Sequence, residues 1–435
     1  MTTGVWLTVG MFGGLLVAIF AGVPLGFALG GIAVITALAM WGITGATPAV
    51  YAIFNYMWMV VLIAVPLFVF MGVALQRSAI SEELFDAFLN WFGRLRGGLA
   101  VVSCWMAAVL SAMVGNCAGS TVTTGIVALP AMKKLNYSDT LRFGSVGAAG
   151  SMGILIPPSI PLILIGMASG VSIPKLFAGG MTAGLFVVVI LTIYILLVAW
   201  IRPKAGPGVA KTVSFKEKIG YLRVVILPLF IVVAVLGTIF GGIATPTEAA
   251  AAGAFAVGIS VAIRRRFTWE FLKNTTRDTA VLTGMILWIT FGSATFVTVY
   301  AGGGGGAFVY NLLLGLEVNR WVIFAIVQAM VLFLGMFVDP VGIILICVPI
   351  FFPVMEALGF DLVWFSIIFT LNLCIGMITP PFGYNLYYIK TLSPETNIGR
   401  IFRSMLPFIV LMVLAMLVIT LVPEIALWLP SVLAK

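Results

Sequence analysis

Histidine is absent from all 435 residues. No imidazole can serve as general base, haem ligand or zinc ligand, which excludes Ser-His-Asp and Cys-His catalysis, His-ligated haem and His-bound zinc. Cysteine is scarce: Cys104, Cys117, Cys347 and Cys374 are the four, each inside an apolar stretch and none in a C-x-x-C pair. They read as buried thiols rather than a disulfide framework or a metal site. Charge is scarce as well. Only 9% of residues are Asp, Glu, Lys or Arg, against about 25% in a soluble domain. With 62% of the chain apolar, there is too little polar surface to cover a water-soluble globule. The reading is an all-α polytopic membrane protein with the lipid bilayer as its solvent. The net charge of +9 does not imply nucleic acid, because the cations sit in the gaps between apolar runs rather than on one soluble face.

A spanning helix needs about 20 mostly apolar residues, and the chain offers about a dozen such runs. The first begins without a basic n-region and leads directly into the second, so it is expected to be a span and not a removed signal. Runs 98–132 and 318–355 are too long for one straight span and carry Gly, Asn, Asp or Pro near their middles. Run 48–76 reads as one span, 402–433 as the last, and the five glycines 302–306 as a flexible outer connector. The single long hydrophilic stretch, 202–223, holds Arg202, Lys204, Lys211, Lys216, Lys218 and Arg223 against Glu217 alone. It is expected to be the cytoplasmic linker. Placing it inside also places Arg77, Arg94, Arg96, Lys133, Lys134, Arg142, Arg264, Arg265, Arg266, Lys390, Arg400 and Arg403 inside. Both termini then lie outside, provided that 98–132 and 318–355 each enter and leave by one face as re-entrant hairpins. Residues 81–95 gather Leu84, Phe85, Phe88, Leu89, Trp91, Phe92 and Leu95 at helical spacing between charges. They fit an amphipathic helix in the cytoplasmic interface, with a solvated connector as the alternative.

Self-comparison shows an internal repeat. At an offset of 222, Val23-Pro24 meets Thr245-Pro246 and Gly31 meets Gly253; at 220, Gly72 meets Gly292. From the first hairpin onward the offset is constant at 223: Asn116 on Asp339, Gly119 on Gly342, Pro130 on Pro353, Gly153 on Gly376, and Pro157-Pro158 on Pro380-Pro381. The first repeat is placed at 1–201 and the second at 224–435. Each holds a hairpin (98–132, 318–355) and a broken helix (142–170, 361–391). Positive-inside placement sends the two repeats through the membrane in opposite senses. Inverted repeats with interrupted helices near the midplane are the architecture of secondary transporters.

The residues able to carry chemistry lie at these breaks. A Pro-Pro pair removes amide donors and clashes with preceding carbonyls, and a carbonyl freed in lipid must find a partner. A sodium ion, hard and suited to carbonyl and hydroxyl oxygens, is one; the new half-helix N-terminus is in turn a seat for a carboxylate. Expected sodium contacts are Gly115, Asn116, Ser120, Thr124, Ser151, Gly153 and Pro157 in the first half, and Val338, Asp339, Gly342, Asn372, Gly376, Thr379 and Pro380 in the second. Expected substrate contacts are Asn116, Ser120, Pro158, Ser159, Pro340, Pro381 and Asn385. Two readings of Asp339 stand open: a functional intramembrane acid, or a cap for the following half-helix. Glu248, with Thr245, reads as the cap of a span. No other cofactor is implied. An intramembrane enzyme is disfavoured, since a Ser protease would need His and a di-aspartyl protease a second intramembrane Asp. A passive channel is disfavoured by the repeat.

Three motifs carry a family resemblance: Ala244-Thr245-Pro246-Thr247-Glu248-Ala249-Ala250, Gly153-Ile154-Leu155-Ile156-Pro157-Pro158-Ser159-Ile160, and Gly376-Met377-Ile378-Thr379-Pro380-Pro381-Phe382-Gly383-Tyr384-Asn385-Leu386. The chain resembles, over essentially its whole length, the DctM-like large membrane subunit of tripartite ATP-independent periplasmic (TRAP) transporters. The resemblance implies sodium-driven symport of a small organic acid into a bacterium across its inner membrane, sialic acid favoured or a C4-dicarboxylate. It implies an elevator-type ion-transporter fold with a fixed scaffold and a mobile domain holding both hairpins, a small membrane subunit of about four helices, expected here as a separate polypeptide, and a periplasmic substrate-binding protein. The alternative is a stand-alone sodium–dicarboxylate symporter with no binding protein.

Overall fold

The structure, a computed structural model, describes residues 2–78, 80–209 and 215–433. Every regular element among them is helical: twenty α-helices and four short 3-10 turns. Among the described residues six helices are long and apolar enough to cross a membrane alone, Ile173–Ile201 and Trp269–Gly302 among them. Ile160–Ser169, Gly305–Leu314, Leu362–Gly376 and Glu424–Leu433 are apolar but run only 10–15 residues, too short to cross a hydrocarbon core about 30 Å thick. Short apolar helices in such a chain mean breaks at membrane depth, and the repeat sets where they fall.

The first hairpin joins Gly98–Val114 to Cys117–Lys134, with Gly115 and Asn116 as its tip; the second joins Arg320–Gly335 to Pro340–Ala357. Asn116 and Asp339 each cap the returning arm, so the 223-residue register recurs as the same local structure. The first broken helix is Asp139–Ser151, a 3-10 turn at Met152–Ile154, then Ile160–Ser169; the second is Leu362–Gly376, then Tyr384–Leu392. Both Pro157–Pro158 and Pro380–Pro381 lie in the interruptions and are cis.

The elements sort into two bodies. One is a scaffold in which Leu25–Trp41 and Ala46–Met57 pack on Trp269–Gly302, and Ala64–Arg77 on Pro246–Ile263. The other gathers both hairpins and both broken helices, flanked by Ile173–Ile201 and Ile398–Leu421. Ile80–Phe92 bridges them, burying Leu84, Phe85 and Ala87 and packing on Gly98–Val114 and Phe215–Phe240. Its Glu83 pairs with Arg264. Three further ion pairs, Arg77–Asp278, Lys133–Glu395 and Asp139–Arg400, join segments that the positive-inside rule places on one face, and a fourth, Asp139–Arg142, lies within one helix. The Lys133 ammonium, donating to Glu395 at 2.7 Å, holds that carboxyl below the usual carboxylate range.

Four expectations change. Run 48–76 is not one span: Ala46–Met57 ends at Trp58 and a 3-10 turn, Val60–Ile63, leads into Ala64–Arg77. The linker 202–223 is shorter than expected, because a helix already begins at Phe215; residues 210–214, Lys211 among them, lie outside the described residues. The glycine run is no open connector, since one helix ends at Gly302 and the next starts at Gly305. Run 402–433 divides before Pro423, and Glu424–Leu433 folds back onto Ile173–Ile201. Proline lacks the amide that would continue the helix.

Glu248 caps as expected. Thr245 accepts from the Glu248 amide at 3.3 Å, and Glu248 returns the bond to the Thr245 amide at 2.8 Å, a capping box. Deep in the scaffold, Gly26 and Gly292 bring Leu25–Trp41 and Trp269–Gly302 into backbone contact: a Cβ on Gly292 would collide with the Gly26 carbonyl. Gly292→Val should therefore destabilise the scaffold by about 1–3 kcal/mol through overpacking, read as a lowered melting temperature of the detergent-purified protein. Gly258→Val, on the same class of helix but with open space around its Cβ position, should leave the melting temperature nearly unchanged.

Candidate functional site

Each hairpin tip docks on the break in its own repeat. Gly115 ends the first arm at φ +67°, a left-handed turn that suits glycine. There its carbonyl accepts from the Ile160 amide at 3.4 Å, and a Cβ would stand 2.8 Å from the Pro158 carbonyl oxygen. Gly153 lies in the break beneath it. A Cβ on Gly153 would stand 2.5 Å from the Asn116 carbonyl oxygen, so tip and break touch main chain to main chain. In the second repeat Gly335 and Gly376 make the equivalent approach, a Cβ on Gly376 coming within 2.9 Å of the Gly335 backbone.

The breaks consume several of the hydroxyls expected to hold ions or substrate. Ser159 donates to the Ile154 carbonyl at 2.5 Å and accepts from the Leu162 amide at 3.4 Å. Thr379 donates to Ile375 at 2.6 Å, and Ser151 to Ala148 at 2.8 Å. Ser120 is fully buried and donates to Ala107 at 3.0 Å inside its own hairpin. These groups satisfy carbonyls that lipid could not. Other oxygens are left without a protein partner: Thr121 Oγ1, Thr124 Oγ1, Asn372 Oδ1 and Asn385 Oδ1 are all buried and unpaired. Thr121 abuts Gly150 in the turn before the first break. Asn372 donates its amide nitrogen to Gln328, to the backbone oxygen and to Oε1 at 2.7 Å each, which leaves its own oxygen facing inward unmatched. Asn385 donates to the Gly147 carbonyl at 3.1 Å, tying the second broken helix to the first. Among the described residues no three acidic or cysteine side chains gather at one point. A cation at either break would thus be held by carbonyl, amide and hydroxyl oxygens, a donor set for a hard monovalent ion.

Between the two tips and the scaffold lies a cavity of about 320 Å³. The first tip contributes Asn116 to Gly119, Val122 and Thr123, and the second Asp339, Pro340 and Val341. Ile154, Ile160 and Pro161 line it from the first broken helix, Tyr384 and Tyr388 from the second. Val69, Gln76, Leu282, Met285 and Ile286 close it from the scaffold. Asp339 accepts from the Val341 amide at 2.9 Å, so it caps its half-helix and faces the cavity at once. Asn116 does the same, accepting from Gly119 at 2.7 Å. No Lys or Arg is among the lining residues.

The expected contacts divide accordingly. Asn116, Asp339 and Pro340 face the cavity. Ser120, Pro158, Ser159, Pro381 and Asn385, expected as substrate contacts, do not line it. The first broken helix instead presents Ile160 and Pro161 one step further on, because its Ser159 is spent as a cap. Gly115, Ser151, Gly153, Pro157, Val338, Gly376, Thr379 and Pro380 lie in the tip and break walls away from the lining. Thr124 and Asn372 lie deeper in the helices that lead to them. Gly342 packs on Leu25 of the scaffold. Sequence reasoning missed Gln76, Gln328, Thr121, Tyr384 and Tyr388 as site residues. Tyr384 and Tyr388, four apart on a short helix directly after a Pro-Pro break, share one face, and that spacing was a readable signal.

Comparison with known proteins agrees with this geometry. The sequence model for "Tripartite ATP-independent periplasmic transporter, DctM component" matches residues 12–425. The chain is 30% identical to the sialic acid TRAP transporter large permease protein SiaM of Vibrio cholerae, over 97% of this chain and 98% of that one. It is also 30% identical to the C4-dicarboxylate TRAP transporter large permease protein DctM of Pseudomonas aeruginosa, over 85% of this chain and 86% of the other. Among solved structures it is similar in fold to the YdaH transporter of Alcanivorax borkumensis, at a TM-score of 0.67 and 16% identity, covering 95% of this chain and 98% of that one.

The tip–break contact yields a prediction that needs no substrate. Gly153→Leu should wedge the first tip away from its break and expose the amides of 115–119, while Gly10→Leu, in open space, should not. Amide hydrogen exchange of the two variants is the measurement, with exchange at 115–119 expected to rise at least tenfold for Gly153→Leu alone.

Proposed function

Because the chain belongs to the DctM component family of tripartite ATP-independent periplasmic transporters, we propose that it is the large permease of a sodium-coupled system that imports a small organic-acid anion across a bacterial inner membrane. The observation that carries the proposal is the cavity: two hairpin tips, each docked on a helix break with unpaired buried oxygens beside it, converge on one space without a basic side chain.

The mechanism follows from charge. A carboxylate entering this cavity meets half-helix N-termini, hydroxyls and the Asn116 amide, but no cation of the protein's own. Asp339 makes the electrostatics worse. Sodium at the oxygen-rich breaks supplies the missing positive charge, so the substrate binds better when sodium is bound, and by linkage sodium binds better with substrate. A body that carries both charges also crosses the low-dielectric region at lower cost than one that carries either alone, which opposes leak. The hairpin body is the part that moves against the scaffold, in the manner of an elevator, with Ile80–Phe92 as the arm between them. The positive-inside rule sets both termini in the periplasm. Substrate arrives from a periplasmic binding protein, and a small membrane subunit of about four helices completes the assembly.

Sialic acid is the favoured cargo over a C4-dicarboxylate. Thr123, Tyr384, Tyr388 and Gln76 offer hydrogen bonds beyond those a carboxylate needs, which suits a polyhydroxylated acid.

Two outcomes are expected in proteoliposomes that hold the chain with its small subunit. Uptake of sialic acid should require an inward sodium gradient and a cognate binding protein. Raising sodium should lower the half-saturating substrate concentration, a coupling that Gly376→Leu should abolish by separating Gly335 from Gly376. Sodium-independent uptake would sink the coupling, and uptake without any binding protein would favour a stand-alone symporter.

A further inference from the structure

Of the polar side chains that face the cavity, Asn116, Thr123, Asp339, Tyr384 and Tyr388 all stand on the hairpin body. Gln76 stands on the scaffold. It is the penultimate residue of Ala64–Arg77, half-buried, and its amide nitrogen lies against the tip at Gly119, where a Cβ would collide with Nε2. No hydrogen bond engages that amide among the described residues. The neighbouring cation is not an alternative. Arg77 donates to Asp278 at 3.0 Å through Nε and at 2.5 Å through Nη2, and it does not line the cavity. The other scaffold residues in the wall, Val69, Leu282, Met285 and Ile286, are apolar.

We propose that Gln76 is a state-specific substrate contact: its amide hydrogen-bonds the bound anion only while the hairpin tips lie at the Arg77 end of the scaffold, and it thereby sets affinity on the cytoplasmic side. The inference rests on the sodium-coupled import reading. Polar groups on the hairpin body travel with the substrate and contribute equally on both sides of the membrane. A group on the fixed scaffold does not. A hydrogen bond is lost once donor and acceptor separate beyond about 3.5 Å, a small fraction of any passage across a bilayer. Gln76 therefore stabilises one of two states, and a ligand contact made in one state alone acts on the balance between them. Arg77 lies among the cations that the positive-inside rule assigns to the cytoplasm, which makes the state shown here the cytoplasm-facing one. A neutral amide suits the task. It donates two bonds to a carboxylate or hydroxyl, accepts one from a hydroxyl or N–H, and holds the anion more weakly than an arginine would, so release is not blocked.

The test measures each face separately, in sealed vesicles of sorted orientation with labelled sialic acid, and with succinate in parallel. Exchange started from the cytoplasmic face gives the half-saturating concentration there; binding-protein-dependent uptake gives the outer one. For Gln76→Ala the cytoplasmic value should rise about threefold to tenfold, the range expected for one lost hydrogen bond, while the outer value stays within about twofold. Gln76→Glu, which sets a negative charge against the anion, should raise the cytoplasmic value further, and Gln76→Asn should fall between Ala and wild type. An equal change on both faces overturns the assignment, because a merely structural role would act on both. An unchanged cytoplasmic value for Gln76→Ala overturns it too, with wild-type transport intact and the import reading untouched. A wild type that exchanges neither acid overturns the import reading and this inference together.

Discussion

Every feature of this chain answers to one constraint: in hydrocarbon a backbone amide or carbonyl must find its partner inside the protein. Four interruptions, two hairpin tips and two Pro-Pro breaks, each free such groups. They are placed against one another, tip on break, in the interior of the hairpin body. Caps absorb part of the demand. Asn116, Asp339 and Ser159 start half-helices, and Thr379 and Ser151 bind carbonyls one turn back. The unpaired oxygens of Thr121, Thr124 and Asn372 mark where the demand remains open, and those places are the candidate ion sites.

Glycine makes the docking possible. At Gly153 and Gly376 the partner backbone stands where a side chain would begin, so hairpin tip and interrupted helix approach main chain to main chain. The scaffold repeats the device at Gly26 and Gly292 for a different end, a rigid crossing of long helices. The same residue type thus permits close backbone approach in both bodies, between tip and break in one and between crossing helices in the other.

The electrostatics follow from scarcity of charge. A cavity meant for an anion would ordinarily carry an arginine. Here its one carboxylate is Asp339 and its walls are otherwise neutral, so under the proposed import the favourable charge would come from a co-bound ion, and coupling would be part of the binding energy rather than the work of a separate gate.

Class, repeat and breaks were legible in the 435 residues because they depend on local rules: apolar runs against bilayer thickness, Pro-Pro against helix continuity, and a fixed 223-residue register that no packing can alter. The Asp339 cap, one of two readings left open, and the Thr245–Glu248 cap were legible for the same reason. Which side chains face the cavity was not. Ser120 and Ser159 look like ligands in a string of letters, yet each spends its hydroxyl on a nearby backbone carbonyl, while Asn385 gives its nitrogen to the Gly147 carbonyl and keeps its oxygen unpaired; only the folded distances show this. Gln76 and Gln328 carry no motif. They matter because scaffold and hairpin body, distant in sequence, bring Gln76 to Gly119, and because two helices of one repeat bring Gln328 to Asn372. Where the helices must break is a matter of local chain chemistry, readable from Pro-Pro pairs and tip residues. The tertiary structure alone decided which polar atoms the breaks consume and which are left over for an ion or a substrate, since that depends on hydrogen-bond geometry between segments that share no local neighbourhood.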